Sequence, residues 1–168
     1  MKHIKKIAIL ILFVICASAG LSAQGELLFQ HLSRNDGLLH NNVTCIAQDS
    51  LGYIWFGTHR GLNRYDGYSI DSYKYEDGKL HSVYYNRLLS IQIIDNYLWM
   101  ATEAGLACFD IRNKKYVDFQ INDKLDKDFY HKIWTIKKGI DNQMWLISGN
   151  RIRLVKIKVN NIQQQPEI

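Results

Sequence analysis

Residues Asp36–Gly67 read DGLLHNNVTCIAQDSLGYIWFGTHRGLNRYDG, and this stretch decides the fold. Three runs, Val43–Gln48, Tyr53–Gly57 and Leu62–Tyr65, have the β-branched and aromatic content of strands. Asp49-Ser50-Leu51-Gly52 separates the first run from the second, and Arg60-Gly61 the second from the third. Asp, Ser and Gly are the residues that tight turns use. Strands this close in sequence pair only as an antiparallel meander, because parallel pairing needs a long crossover.

Working outward, most of the remaining chain repeats this unit. Setting Trp55 over Trp99 aligns Asn42–Asp66 with Asn86–Asp110 without a gap. Identities fall at Asn42/Asn86, Gln48/Gln92, Tyr53/Tyr97, Trp55/Trp99, Thr58/Thr102, Gly61/Gly105, Leu62/Leu106 and Asp66/Asp110. A third, worn copy surrounds Trp145, with Ser148 and then Ile152-Arg153-Leu154-Val155. The Trp spacings are 44 and 46 residues. Periods of about 40–50 residues with about four strands each are the signature of β-propeller blades. Three unrelated hairpins would not place Trp, Thr, Gly and Leu at matching offsets.

The string formed by Gly37-Leu38, Val43, Asp49, Gly52, Trp55, Gly57-Thr58, Gly61-Leu62 and Tyr65-Asp66-Gly67 resembles the two-component regulator propeller repeat. The resemblance covers the chain from about Phe29 to Val155. The second copy departs from the pattern at Asn96 and Ala101, and the third loses the Gly-Leu pair. This resemblance implies the periplasmic sensor half of a hybrid two-component system, recognising an oligosaccharide breakdown product and signalling through a membrane helix to a kinase. Similar proteins carry more blades, a linking β-domain, a kinase and often a DNA-binding regulator. The expectation is therefore an all-β, incomplete β-propeller of about three four-stranded blades behind a signal peptide, as a truncated N-terminal fragment of such a sensor.

Composition agrees with a folded, exported chain. Hydrophobic residues make up 47% of the 168 and aromatics 12%, enough for a core. The formal charge is +5, but Lys2, Lys5 and Lys6 lie in the leader, and without them it falls to +2. Both signs are then dispersed, with no basic stripe to hold a nucleic acid. Residues 1–23 read as a signal peptide: a basic start, an apolar run from Ile7 to Ala17, and small residues up to Ala23. The run is shorter than the ~20 residues a spanning helix needs, so no membrane span is expected after cleavage. Residues 24–42 form an arm with a ring-closing strand, 43–76 blade 1, 77–121 blade 2, 122–158 a degenerate blade 3, and 159–168 an unstructured tail. Three blades fall short of the four to eight of closed propellers. The remaining blades of a longer sensor, or self-association, are the expected partners for the open faces.

In a meander blade, the loops entering strand one and joining strands two and three lie at one end. That end collects the longer, more polar loops, and function tends to sit in loops held by a rigid scaffold. His59, Arg60, Tyr84, Tyr85, Glu103, Tyr130 and His131 are the candidate ligand-binding residues, the aromatics to stack on sugar rings and the polar groups to hydrogen-bond hydroxyls or acids. The competing reading is that the aromatics fill the seams between blades. Trp55, Trp99 and Trp145 are expected to wedge neighbouring blades, and Gly57, Thr58, Gly61, Leu62, Thr102, Gly105 and Leu106 to be turn and packing residues. Asp36, Asp49, Asp66 and Asp110 are expected to cap backbone donors at turns.

Cys45 and Cys108 stand apart, with no CxxC and no His at metal spacing, and read as buried free thiols. No HExxH, GxSxG or phosphate-loop string occurs, so no catalytic residue, metal or cofactor is expected. The leading function is a non-enzymatic periplasmic sensor module. The alternatives are a self-associating propeller interaction protein and a propeller lyase, which would need a charged cluster facing the channel.

Overall fold

A computed structural model describes Lys6 and residues 28–76, 85–119, 127–131, 133–160 and 165–167. The chain divides into Met1–His31 and Leu32–Ile168, and the elements below belong to the second unit. Apart from Lys6, the expected signal peptide lies outside the described residues.

Three antiparallel sheets follow one another along the chain. The first is β1 (Val43–Gln48), β2 (Ile54–Thr58), β3 (Gly61–Tyr65) and β4 (Ile70–Tyr73), paired in that order. The second is β5 (Leu88–Ile94), β6 (Tyr97–Thr102), β7 (Gly105–Asp110) and β8 (Lys115–Val117), again in order. A single helical turn, α1 (Lys127–Tyr130), leads to the third, β9 (Thr135–Lys138), β10 (Gln143–Ser148) and β11 (Arg151–Lys156). The first strands lie side by side, β1 along β5 and β5 along β9. Thr44 Oγ1 donates to the Leu88 carbonyl at 2.7 Å, and the Ile136 amide donates to Ser90 Oγ at 3.2 Å. Successive four-stranded meanders stacked through their first strands are the blades of an incomplete β-propeller.

The repeated residues have repeated jobs. Thr58 Oγ1 donates to the Gly61 carbonyl at 2.8 Å and accepts from the Arg60 amide at 3.2 Å. Thr102 makes the same two bonds, to Gly105 at 2.8 Å and from Ala104 at 3.2 Å. Each hydroxyl thus closes the hairpin that follows it. Gly61 and Gly105 sit at φ +134° and +118°, and a Cβ would come within 2.7 Å of the Tyr73 carbonyl oxygen and 2.5 Å of that of Tyr130. Both conformation and space demand glycine there.

The Trp residues fill seams. Trp55 is fully buried between blades 1 and 2 with Leu98, Met100 and Phe109, and its ring meets Phe109 edge-on at 5.7 Å. Trp99 is fully buried between blades 2 and 3 with Ile136, Met144 and Leu146. Trp145 departs from the expectation. It is 42% exposed, because its face of blade 3 meets no following sheet among the described residues.

Two further readings are corrected. The gapless alignment slips by one residue in the first strand. Trp55 pairs with Ala47 but Trp99 with Gln92, so Gln92 matches Ala47, and Gln48, which pairs with Ile54, matches Ile93. The cause is turn length: Ser50-Leu51-Gly52 lies between Asp49 and Tyr53, whereas only Asp95-Asn96 lies between Ile94 and Tyr97. Since side chains alternate along a strand, the slip puts Gln48 and Gln92 on opposite faces. Asn86 likewise matches Asn41 rather than Asn42. Asn41 Oδ1 accepts from the Arg34 amide and Asn86 Oδ1 from the Tyr75 amide, both at 2.8 Å.

The tail read as unstructured holds a two-stranded antiparallel ladder, β12 (Lys158–Asn160) with β13 (Gln165–Glu167). Pro166 is tolerated because a two-stranded ladder has only edge strands. Blade 3, the degenerate copy, has three strands among the described residues. Of the proposed ring-closing strand, residues 24–27 lie outside the described residues and 28–33 have no regular structure.

Candidate functional site

The loops entering the first strands meet the hairpins between second and third strands, at one end of the blades. His40, in the loop entering β1, stacks on His59 of the β2–β3 hairpin, with ring centroids 5.8 Å apart and planes 26° from parallel. His40 Nδ1 accepts from the Asn42 amide at 3.0 Å, which fixes the ring. Arg60, beside His59, is exposed. In blade 2, Arg87 precedes β5 and Glu103 lies in the β6–β7 hairpin. Arg87 Nη1 donates to both carboxylate oxygens, at 3.1 and 3.0 Å, and the Glu103 amide donates to the Arg87 carbonyl at 3.1 Å. Next in line, His131 is exposed at the end of α1, its Cα 3.2 Å from where a Gly105 side chain would begin. The loops of consecutive blades thus form a row of His, Arg and Glu side chains on a backbone fixed by the Thr–Gly hairpins. Such a row offers hydrogen bonds and both signs of charge to hydroxyl or carboxylate groups.

The aromatic candidates separate from this row. Tyr130 is 5% exposed and packs with Phe129 in the seam between blades 2 and 3. Tyr85 packs on Tyr75 with centroids 4.7 Å apart, and Tyr75 meets Tyr116 edge-on at 5.2 Å. Tyr116 continues to Phe109 at 5.2 Å, making one aromatic path across the seam between blades 1 and 2. Tyr84 lies outside the described residues. Where the structure places them, these aromatics are packing residues. The reason is geometric: long rings on loops beside an apolar seam gain more by closing it than by facing water.

His40 and Arg87 were not singled out in the sequence, although each partners a candidate that was. The signal was available, since each lies just before a first strand, at the end already chosen. Asn63 was also missed. It is fully buried, its Oδ1 accepts from the Leu39 amide at 2.9 Å, and it ties the loop before β1 to β3.

At the other end the four aspartates behave as turn caps. Asp49 Oδ1 accepts from the Leu51 and Tyr53 amides at 3.0 Å, and its Oδ2 accepts from the Trp55 indole at 2.8 Å. Asp66 accepts from Tyr68 and Ser69, bonds that hold its carboxyl below the usual carboxylate range. Asp110 accepts from the Asn113 amide at 2.9 Å, and Asp36 closes a capping box on Ser33. Cys45 and Cys108 are free thiols on opposite seams, and burial pushes both up from the ordinary thiol value, Cys108 the further. Among the described residues no three His, Cys, Asp or Glu side chains are grouped to hold a metal ion.

The fold and its repeated Trp, Thr and Gly geometry define a β-propeller repeat module. Residues 37–60 match the two component regulator propeller family. Among solved structures, the chain is similar to the extracellular domain of BT3049 from B. thetaiotaomicron, assigned to the hybrid two component systems. The TM-score is 0.62 at 26% identity, covering 76% of this chain and 18% of that one. It is also similar to the extracellular domain of BT4673 from the same organism, assigned as a one component system in one structure and a hybrid two component system in another. There the TM-score is 0.54 at 28% identity, over 74% of this chain and 15% of that one. A 64-residue stretch is 34% identical to histidine kinase P4 of Formosa agariphila, covering 38% of this chain and 5% of that protein. The chain thus spans under a fifth of the solved domains and a twentieth of the curated relative. Among the described residues no helix is long and apolar enough to cross a membrane.

Proposed function

We propose that this chain is a periplasmic ligand-sensing module of the two-component type, and that its ligand is an oligosaccharide held at the loop end by His40, His59, Arg60, Arg87, Glu103 and His131. The observation that carries the proposal is the row itself: polar loops of consecutive blades, braced by Asn63, Asn86 and the Thr–Gly hairpins, and open to solvent at Arg60, Arg87, Glu103 and His131. A sugar offers many weak hydrogen-bonding groups in a fixed array, which a row of planar polar side chains matches. The solved relatives, which are extracellular domains of signalling proteins, support the sensor role. The signal leaves through parts of a longer assembly.

Titration calorimetry with a panel of neutral and uronic-acid oligosaccharides tests this. At least one member binds saturably, and replacing Arg60 and Arg87 together by Ala weakens it by about tenfold or more, the loss of roughly 1.4 kcal/mol. Saturable binding that both replacements leave unchanged would place the ligand elsewhere. No binding across the panel would remove the oligosaccharide.

A further inference from the structure

We propose that the ligand of the loop end is acidic, and that Arg151 and Arg153 of blade 3 receive its carboxylate. The inference rests on the oligosaccharide reading above and narrows it to the uronic-acid members of that class.

The two arginines mark where blade 3 leaves the repeat. Arg151 pairs across strands with Ser148, and Arg153 with Leu146. In the same register blade 2 has Gly105 against Thr102 and Ala107 against Met100. Blade 1 has Gly61 against Thr58 and Asn63 against Phe56. Two positions held by small or uncharged residues in the first two blades thus carry two cations in the third. Side chains alternate along a strand, so both arginines lie on the side of Ser148 and Leu146. Leu146 is buried in the seam with blade 2, so this is the side that blade 2 packs against and not the outer face that carries Trp145.

Both side chains converge on one ring. Arg151 Cζ lies over Phe129 at 5.4 Å from the ring centroid, and Arg153 Cζ at 5.0 Å. Phe129 is fully buried and belongs to α1, which leads into His131. A guanidinium stacked on a ring by its face keeps its N–H edge for planar oxygen partners. Stacking also fixes the rotamer before a ligand arrives, which lowers the entropy lost on binding. Two like charges on one ring repel, and an anion lying between them offsets that cost. Arg151 is exposed and Arg153 half-buried, so the pair is reached from solvent. Arg151 follows the β10–β11 hairpin at the loop end, so the pair continues the row of Arg60, Arg87 and His131. A carboxylate matches the fork of a guanidinium, with two parallel hydrogen bonds.

Titration calorimetry of the intact chain with a panel of uronic-acid oligosaccharides, each beside its methyl ester, is the test. The ester keeps the sugar frame and removes the charge. At least one acid is expected to bind about tenfold or more tighter than its ester, the worth of a charge-assisted hydrogen bond. Added salt narrows the gap. Arg151→Gln combined with Arg153→Gln removes the preference, whereas Arg112→Gln, in the β7–β8 hairpin at the opposite end, keeps it. Esters that bind as tightly as their acids overturn this inference and leave the oligosaccharide reading standing. No binding by any acid or ester overturns both. An acid preference that survives the paired replacement overturns the assignment to Arg151 and Arg153. The acid-against-ester comparison uses the unaltered chain, so it decides the matter even if the double variant loses its fold.

Discussion

Trp99 and Trp145 occupy the same place in successive repeats and have opposite surroundings. Trp99 is fully buried in a seam, while Trp145 is 42% exposed on the outer face of blade 3. Strand β6 is buried on both faces, whereas in β10 Met144, Leu146 and Ser148 are buried and Trp145 between them is not. The repeat dictates which way a side chain points, and the neighbouring blade dictates whether it is buried. Stability in such an array is therefore a property of pairs of blades rather than of single ones.

The comparison breaks most visibly at the two tryptophans. Trp99→Ala is expected to lower unfolding stability by about 3–5 kcal/mol, the range for an aromatic removed from a core. Trp145→Ala, measured where the chain sediments singly, costs about 1 kcal/mol or less, as surface changes do. Urea denaturation of the two variants measures the gap, and equal losses would mean that Trp145 is buried in solution.

Next come the hairpin glycines. Gly105→Ala forces both a left-handed backbone and a Cβ 2.5 Å from the Tyr130 carbonyl oxygen, so a loss of about 3 kcal/mol or more is expected. Gly149, in the matching hairpin of blade 3, has φ +59° and open space around its Cβ. Gly149→Ala should cost only the left-handed term, about 1–2 kcal/mol. Thermal melts of both variants would show the difference.

How far the sequence could be read follows the same division. The Trp, Thr and Gly offsets were legible because each residue answers a local demand that recurs in every blade: a hairpin to close, a positive φ, a face to fill. The exposure of Trp145 was not legible, since it depends on a neighbour and not on the repeat. The one-residue slip in the first strand was hidden by chance identities at Gln48/Gln92 and Asn42/Asn86, and only the pairing register exposes it. At the loop end His59, Arg60, Glu103 and His131 lie in the loops that the repeat marks, but Tyr85 and Tyr130 are drawn into seams that no local pattern marks. The Arg87–Glu103 and His40–His59 pairings needed the fold to bring separate loops together.

A finer contrast lies in the indoles. Trp55 Nε1 donates to Asp49, six residues earlier, where blade 2 has Ile94 and a two-residue turn. Trp99 Nε1 is buried without a hydrogen-bond partner. Asp49→Ala would put Trp55 in the same condition and should cost about 1–3 kcal/mol, the penalty for an orphaned buried donor. If the variant is as stable as the parent, the carboxylate is not holding the first turn.

The smallest expected effect is on pH. Burial raises the thiols of Cys45 and Cys108, so the folded chain holds those protons more tightly than the unfolded chain does. Their contribution is intact below the ordinary thiol value of ~8.5 and is lost as pH rises through the folded values. Stability should therefore decline on the alkaline side, and replacing both cysteines by Ala should flatten that decline.

Amide hydrogen exchange along β2, β6 and β10, at a dilution where the chain sediments singly, tests the account most directly. Slowest exchange is predicted in β6, which is packed on both sides, with faster exchange in β2 and β10, each of which has one blade face that meets no further sheet among the described residues. Exchange in β10 as slow as in β6 would contradict the claim that burial in this array comes from the adjoining blade.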